Sequence, residues 1–203
     1  DQFLACGSVM NESPLSGRLG LNGQPTVAES LHVARDILLA QYLDTPIHLA
    51  HISCRESVEL IAWAKSKDIP ITAETCPHYL LFTEHEVERV ETLAKVNPPL
   101  RTMDDVEAIR QALRQGVIDI LATDHAPHAA HEKESSIDKA PPGISGLDTA
   151  LSLTWGLAED GVLDQDLLVR AWLSNPATTF SLPANHFIPG DPADFLLFDP
   201  SEA

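Results

Sequence analysis

The sequence predicts an α/β chain of parallel strand–helix units, and three observations carry that reading. Short apolar runs of strand length alternate with helical apolar periods, clusters rich in His and Asp follow the strand-like runs, and no glycine-rich nucleotide loop breaks the alternation. The first helix follows Pro25 and Thr26, where Val27, Leu31, Ala34, Ile37, Leu38 and Tyr42 of AESLHVARDILLAQYL recur at helical spacing. PIHLAHIS (46–53) alternates as a strand does, SVELIAWAKSK reads as a helix, and IPITAE (69–74) reads as a second strand. A helix over 104–115, the strand VIDILATD, a polar loop over 125–145 and a helix from Leu147 to Glu159 continue the pattern. A helix near 164–173 and a short one over NPATTF follow, and in PGDPADFLLFDP turn residues bracket an apolar strand. Residues 1–25, rich in Gly, Ser, Asn and Pro, read as a long loop.

Parallel neighbours need a crossover connection, which a helix supplies. In a (β/α)8 barrel the polar chemistry gathers at the C-terminal strand ends, and here His51, Glu74 to His78, and Asp124 to His128 each follow a strand-like run. The expected architecture is therefore the C-terminal portion of a TIM barrel over 1–183, without its N-terminal strands. Residues 184–203 are expected to belong to a small accessory β domain. The chain opens on Asp1, and DQFLACGSVM lacks the basic start and apolar stretch of a secretory leader, so the N-terminus reads as a cut.

Thirteen basic against 30 acidic side chains give a formal charge of −17, a field that repels phosphate backbones and anionic lipid. Nucleic acid and membrane surfaces are poor partners for it. The longest apolar runs, Ile118 to Ala122 and Phe195 to Phe198, fall far short of the roughly 20 residues a membrane helix requires. Cys6, Cys54 and Cys76 form no CxxC pair, which argues against a disulfide framework or zinc knuckle and for a reducing, cytoplasmic setting.

His51 ends a strand, and alternation sets it on the opposite face from His48, so the two do not make a histidine clamp. Thr123-Asp124-His125-Ala126-Pro127-His128 is the most specific local motif. It reads either as an Asp-initiated turn stiffened by Pro127 or as a site in which Asp124 binds a metal or moves a proton while His128 faces substrate. Asn97-Pro98-Pro99-Leu100-Arg101 is a rigid loop that either stiffens the fold or presents an amide to a polar ligand. Pro141-Pro142-Gly143 reads as a hinge or as a set of backbone donors above a substrate.

Taken together, HISCRES (51–57), AETCPHYLLFTE (73–84), NPPLR (97–101), ATDHAPH (122–128), PPGISGLDT (141–149), NPA (175–177) and GDPADFLLFDP (190–200) resemble dihydroorotase of the amidohydrolase superfamily. The resemblance covers nearly the whole chain. The combination of TDHAPH with NPPLR points to dihydroorotase rather than to hydantoinase or allantoinase. It implies a hydrolase with one or two zinc ions that interconverts dihydroorotate and N-carbamoyl-aspartate in pyrimidine synthesis. His51 and Asp124 would be metal ligands, Asp124 also the proton shuttle, and Asn97, His128, Pro142 and Gly143 substrate contacts. Arg101 reads as structural, and Cys54 stands where relatives usually have Thr.

The family's H-x-H pair and its bridging ligand have no counterpart here, and Asp1 resembles the last residue of a family H-C-E-D segment. The expected partners are thus the small-molecule substrate, the N-terminal half of the barrel, and a second copy or an aspartate transcarbamoylase. Alternative readings are a non-catalytic partner of a transcarbamoylase, or another cyclic amidohydrolase such as allantoinase or hydantoinase.

Overall fold

The computed structural model describes residues 1, 3–183 and 187–200. Its centre is a parallel sheet of β3 (Ile47–Leu49), β4 (Ile71–Thr75) and β5 (Ile120–Leu121), in the order β3-β4-β5. Ile47 pairs with Ile71, and Glu74 with Ile120. Each crossover runs through a helix, as parallel order demands: α3 (Arg55–Lys65) leads from β3 to β4, and α6 (Met103–Arg114) leads towards β5.

The helices form where local chemistry and apolar period agree. In α6, Val106, Ile109, Ala112 and Leu113 are buried along one face, and Thr102 caps the start by accepting from the Asp105 amide while Asp105 accepts from the Thr102 amide. In α3, Val58, Ile61 and Ala64 turn inward. These faces meet Leu49, Ile71, Ala73, Ile118, Leu157 and Leu168 in one apolar core.

Asp119 ties that core to the strand edge. Its carboxylate accepts from Lys65 Nζ at 2.7 Å and from the Ala73 amide at 2.9 Å, and its carbonyl accepts from Asn175 Nδ2 at 2.7 Å. The last bond fastens α10 (Asn175–Thr179), which is preceded by α8 (Ala150–Glu159), α9 (Gln165–Val169) and a π turn over Arg170–Ser174.

Several expectations need correction. Residues 1–25 are not a loop, because β1 (Met10–Asn11) and β2 (Gly23–Gln24) pair in parallel around α1 (Pro14–Leu19). That short helix is held by its ends rather than by apolar period: Ser13 and Ser16 make a capping box, Pro14 opens the first turn, and Gly20 closes it at φ 67°. The long helix α2 (Val27–Leu43) forms as expected, but it buries Ala28, Val33, Ile37 and Ala40, while Leu31, Leu38 and Tyr42 face outward. That face is the buried one because it is where α2 packs on α3.

The strand expected over VIDILATD keeps ladder pairing only at Ile120–Leu121. Three further helical pieces, α4 (Pro77–Leu81), α5 (Glu86–Val90) and a 3-10 turn over Glu91–Ala94, fill the stretch after β4, and α7 (Ala130–Lys133) interrupts the loop over 125–145. No strand forms in 190–200 among the described residues: Leu196 and Leu197 are exposed, and no described strand lies beside them to complete a ladder. Residues 184–186 and 201–203 of the expected accessory segment lie outside the described residues.

The N-terminal segment is fixed to the sheet by Arg101, which is 1% exposed. Its Nη1 donates to Asn11 Oδ1 and to the Gln24 carbonyl, both at 2.8 Å, its Nε donates to Ser53 Oγ at 3.2 Å, and its Nη2 lies 3.8 Å from Glu29. Arg101→Ala leaves Glu29 without its cation, and urea denaturation is expected to register a loss of about 3–5 kcal/mol. A loss under about 1 kcal/mol, the scale of an exposed pair, would remove Arg101 from this role.

Candidate functional site

Pairing continues past the ends of the strands and gathers the site. The Ile52 amide donates to the Glu74 carbonyl at 2.9 Å, Thr75 Oγ1 donates to the Ile52 carbonyl at 2.8 Å, and the Ala122 amide donates to the Thr75 carbonyl at 3.0 Å. His51 and Asp124 therefore leave the sheet at the end from which Cys76 and His78 follow β4. Both adopt left-handed backbone, at φ 42° and 47°, a region that costs side-chain-bearing residues energy and is concentrated at functional sites. His51 does not end β3, which stops at Leu49.

Cys76, His78 and Asp124 each bring a donor atom within 4.8 Å of the other two, so the three can gather around one cation. His78 is buried at 4% exposure, and its Nε2 has no hydrogen-bond partner. Burial, reinforced by nearby His51, lowers its pKa to about 4, so the imidazole is neutral at pH 7 and keeps a lone pair for a ligand. Burial and the charges of Asp124 and Glu74 push the Cys76 thiol well up. A cation at this position would reverse that preference.

His48 is already committed, with Nδ1 at 2.8 Å from Thr72 Oγ1 and Nε2 at 3.0 Å from Glu74. Asp124, expected from the sequence, stands in the donor trio. His51 stands beside His78 without joining that trio. Cys76 and His78 were missed as donors, although the Cys-Pro-His step directly after a strand end was a readable sign of them.

His128, Pro142 and Gly143 come together. His128 Nε2 donates to the Pro142 carbonyl at 3.1 Å, and Gly143, at φ 149°, leaves no space for a side chain. A Cβ there would sit 2.5 Å from the Ala126 carbonyl oxygen and 2.8 Å from His128 Nε2. His128, Gly143 and His78 border a cavity of about 410 Å³. Asn97 is exposed and does not border it, while the adjoining Pro98 and Pro99 are buried and Tyr79 Oη donates to the Pro98 carbonyl at 2.6 Å. Arg101 serves the fold, as its sequence context suggested.

Two buried lysines hold the loop that carries these groups. Lys133 Nζ donates to the carbonyls of Thr92 and Pro141 at 3.1 and 3.0 Å, and Lys95 Nζ donates to that of Ile137 at 2.6 Å. The Gly143 amide returns a bond to the Lys95 carbonyl at 2.9 Å. Burial lowers the pKa of both lysines.

No protein-family model matches the chain. It is 44% identical over its whole length to a dihydroorotase of Syntrophus aciditrophicus, and 46% identical over 98% of its length to one of Syntrophotalea carbinolica. It spans 47% of each, about half the length of these curated relatives. Among solved structures, an L-hydantoinase (dihydropyrimidinase) from Arthrobacter aurescens is 31% identical with a TM-score of 0.75, covering 78% of this chain and 36% of that one. The resemblance to dihydroorotase read from the sequence is borne out, and the α/β fold matches part of an amidohydrolase.

Two outcomes follow from the site's geometry. Gly143→Ala is expected to displace the His128 contact and destabilise the chain by about 1–3 kcal/mol, measured by thermal unfolding with the His128 ring followed by NMR. Between its ordinary value of 6.5 and about 4, unfolded His78 takes up a proton that the folded imidazole refuses, so stability falls as pH drops through that window. His78→Gln should remove roughly 3 kcal/mol of that acid-induced loss, and an unchanged pH–stability curve would place the protonation elsewhere.

Proposed function

We propose that the chain supplies the C-terminal part of a dihydroorotase, which opens the cyclic amide of dihydroorotate to N-carbamoyl-L-aspartate and runs the reverse closure in pyrimidine synthesis. The observation that carries this reading is 44–46% identity to dihydroorotases across the length of the chain. Residues 1–183 would form part of a TIM barrel completed by N-terminal strands, and 184–203 part of a small β domain. The working setting is the cytoplasm, with a second copy or an aspartate transcarbamoylase as partner.

The donors at the sheet end suit zinc, because the Asp124 carboxylate and the Cys76 thiol lie within reach of one point. His51 and Asp124 would hold one or two such ions. When bound, zinc supplies Lewis acidity towards the ring carbonyl and the attacking water. Asp124 accepts a proton from that water and delivers it to the ring nitrogen as the C–N bond breaks, and in the closure it returns the proton. A nearby cation keeps its carboxylate ionised for the first of these steps.

His128 and the Pro142–Gly143 backbone orient the substrate from the loop, and Asn97 presents its amide from the rigid NPPLR turn. Closing this wall around the ring shields the reacting bond from bulk water. The 31% identity to an L-hydantoinase favours one second reading, a cyclic amidohydrolase of hydantoin type. Turnover of dihydroorotate, hydantoin and allantoin by the complete protein separates the two, with dihydroorotate expected as the preferred substrate.

In the complete protein, Asp124→Asn is expected to lower dihydroorotate turnover by about 10²–10⁴-fold without changing the circular dichroism spectrum, since an amide cannot accept the proton. Activity close to that of the parent would assign the shuttle to another group.

A further inference from the structure

The cavity beside the site is walled mainly by apolar side chains, among them Phe82, Val90, Leu93 and Leu100, so each polar group on its border is informative. Most of those groups are engaged. Arg89 pairs with Glu86 at 2.6 Å, Lys133 donates to main-chain carbonyls, and His128 Nε2 donates to Pro142. His78 differs: its ring borders the cavity, it is 4% exposed, and its Nε2 has no partner.

A buried nitrogen left without a partner is rare in native folds, which satisfy such atoms with protein, water, an ion or a ligand. The ring is not free to turn away and find another bond, because it packs edge-on against Tyr79 with centroids 4.2 Å apart, and Tyr79 is itself anchored to Pro98. Cys76 and Asp124, the neighbours with which His78 could share a cation, do not border the cavity. His78 thus stands between Cys76 and Asp124 on one side and the ligand space on the other.

We infer that His78 Nε2 hydrogen-bonds the ureide group of the bound substrate, the –NH–CO–NH– unit shared by dihydroorotate and N-carbamoyl-aspartate, and so sets the ring in register with Asp124. The inference rests on the dihydroorotase reading for its substrate class. An imidazole suits this task because one nitrogen can serve a ureide N–H or C=O according to tautomer. Its place at the start of α4, between β4 and the apolar wall, fixes the distance from the reacting bond to the rest of the ligand. His78 is in this account a positioning residue whose effect falls on substrate affinity more than on the chemical step.

The test compares the complete protein with its His78→Phe and His78→Gln variants. Phe keeps the ring volume without a polar atom, and Gln restores a hydrogen-bonding group. Metal content by elemental analysis is expected to be equal in all three. For dihydroorotate, Phe should raise KM about tenfold or more with a smaller change in kcat, and Gln should return KM to within about threefold of the parent. Loss of metal in both variants would make His78 a cation ligand and overturn the inference, as would an unchanged KM in the Phe variant. Calorimetric binding of dihydroorotate to the same proteins separates this from the parent reading. A parent protein that binds the ureide about tenfold more tightly than the Phe variant, yet does not turn it over, keeps the inference and sinks the dihydroorotase reading. Equal binding by both, or binding by neither, overturns the inference. If the Phe variant does not fold, His78→Leu, which also lacks a polar atom, replaces it: a KM raised about tenfold with metal kept supports the inference, and an unchanged KM or loss of metal overturns it.

Discussion

Burying one guanidinium is the constraint on which the rest of the arrangement depends. Arg101 is out of water, and a buried cation is tolerated only when its surroundings are polar and oppositely charged. Asn11, Gln24, Ser53 and Glu29 meet that demand from four separate stretches of chain. Glu29 in turn accepts from the Ser53 amide at 3.1 Å and from the Ser53 hydroxyl, and Asn11 Nδ2 donates to Glu84 at 2.6 Å. The Glu84 amide closes the circuit on the Arg101 carbonyl at 2.8 Å. One charge thereby locks the N-terminal β1–β2 pair, the start of α2, the turn after β3 and the NPPLR loop to each other.

The same economy holds at the sheet end. Bonds from Ile52 and Ala122 to the β4 backbone fix where β3 and β5 give way to loops, and the left-handed turns at His51 and Asp124 follow at once. The ordered backbone, not a flexible loop, sets the site's geometry, which is the condition for side chains held at a defined distance. The outer wall is held differently. Lys95 and Lys133 give their ammonium protons to carbonyls along the loop, and Thr92 Oγ1 donates to the Lys133 carbonyl, so the wall carrying His128 and Gly143 is stitched to the 3-10 turn near Ala94.

What could be read in the sequence was what repeats along it. The apolar period of α3 and α6, the strand-like IHL and ITAET runs and the His and Asp residues that follow them were visible because each leaves a local pattern. The first 25 residues were opaque because α1 is stabilised by caps and the flanking β1–β2 pair by a distant arginine, neither of which has a period. The buried face of α2 was misread because apolar residues lie on both of its sides, and only the close contact with α3 selects Ala28, Val33, Ile37 and Ala40. His78 was passed over for a related reason. Nothing in its neighbours along the chain says that its nitrogen lacks a partner, since that depends on which groups the fold brings near it. The strand expected near Phe195 failed for want of a neighbour, because a strand is a property of a pair and not of one apolar run.

Charge distribution joins these pieces. In a chain of −17, most of the surface opposes an anionic ligand, yet Arg89 and Lys133 both border the cavity, and Lys95 lies against the same loop. Lys133 has no carboxylate within ion-pair distance among the described residues and answers only to carbonyl dipoles, so its field is not cancelled at close range. Arg89, by contrast, is paired with Glu86 and contributes less. The low polarity of the wall formed by Phe82, Val90, Leu93 and Leu100 weakens screening and lets the lysine act further into the cavity than it would in water. An anionic ligand is therefore repelled by the protein at long range and attracted at one opening, and that contrast favours entry at the face where His78 and His128 stand.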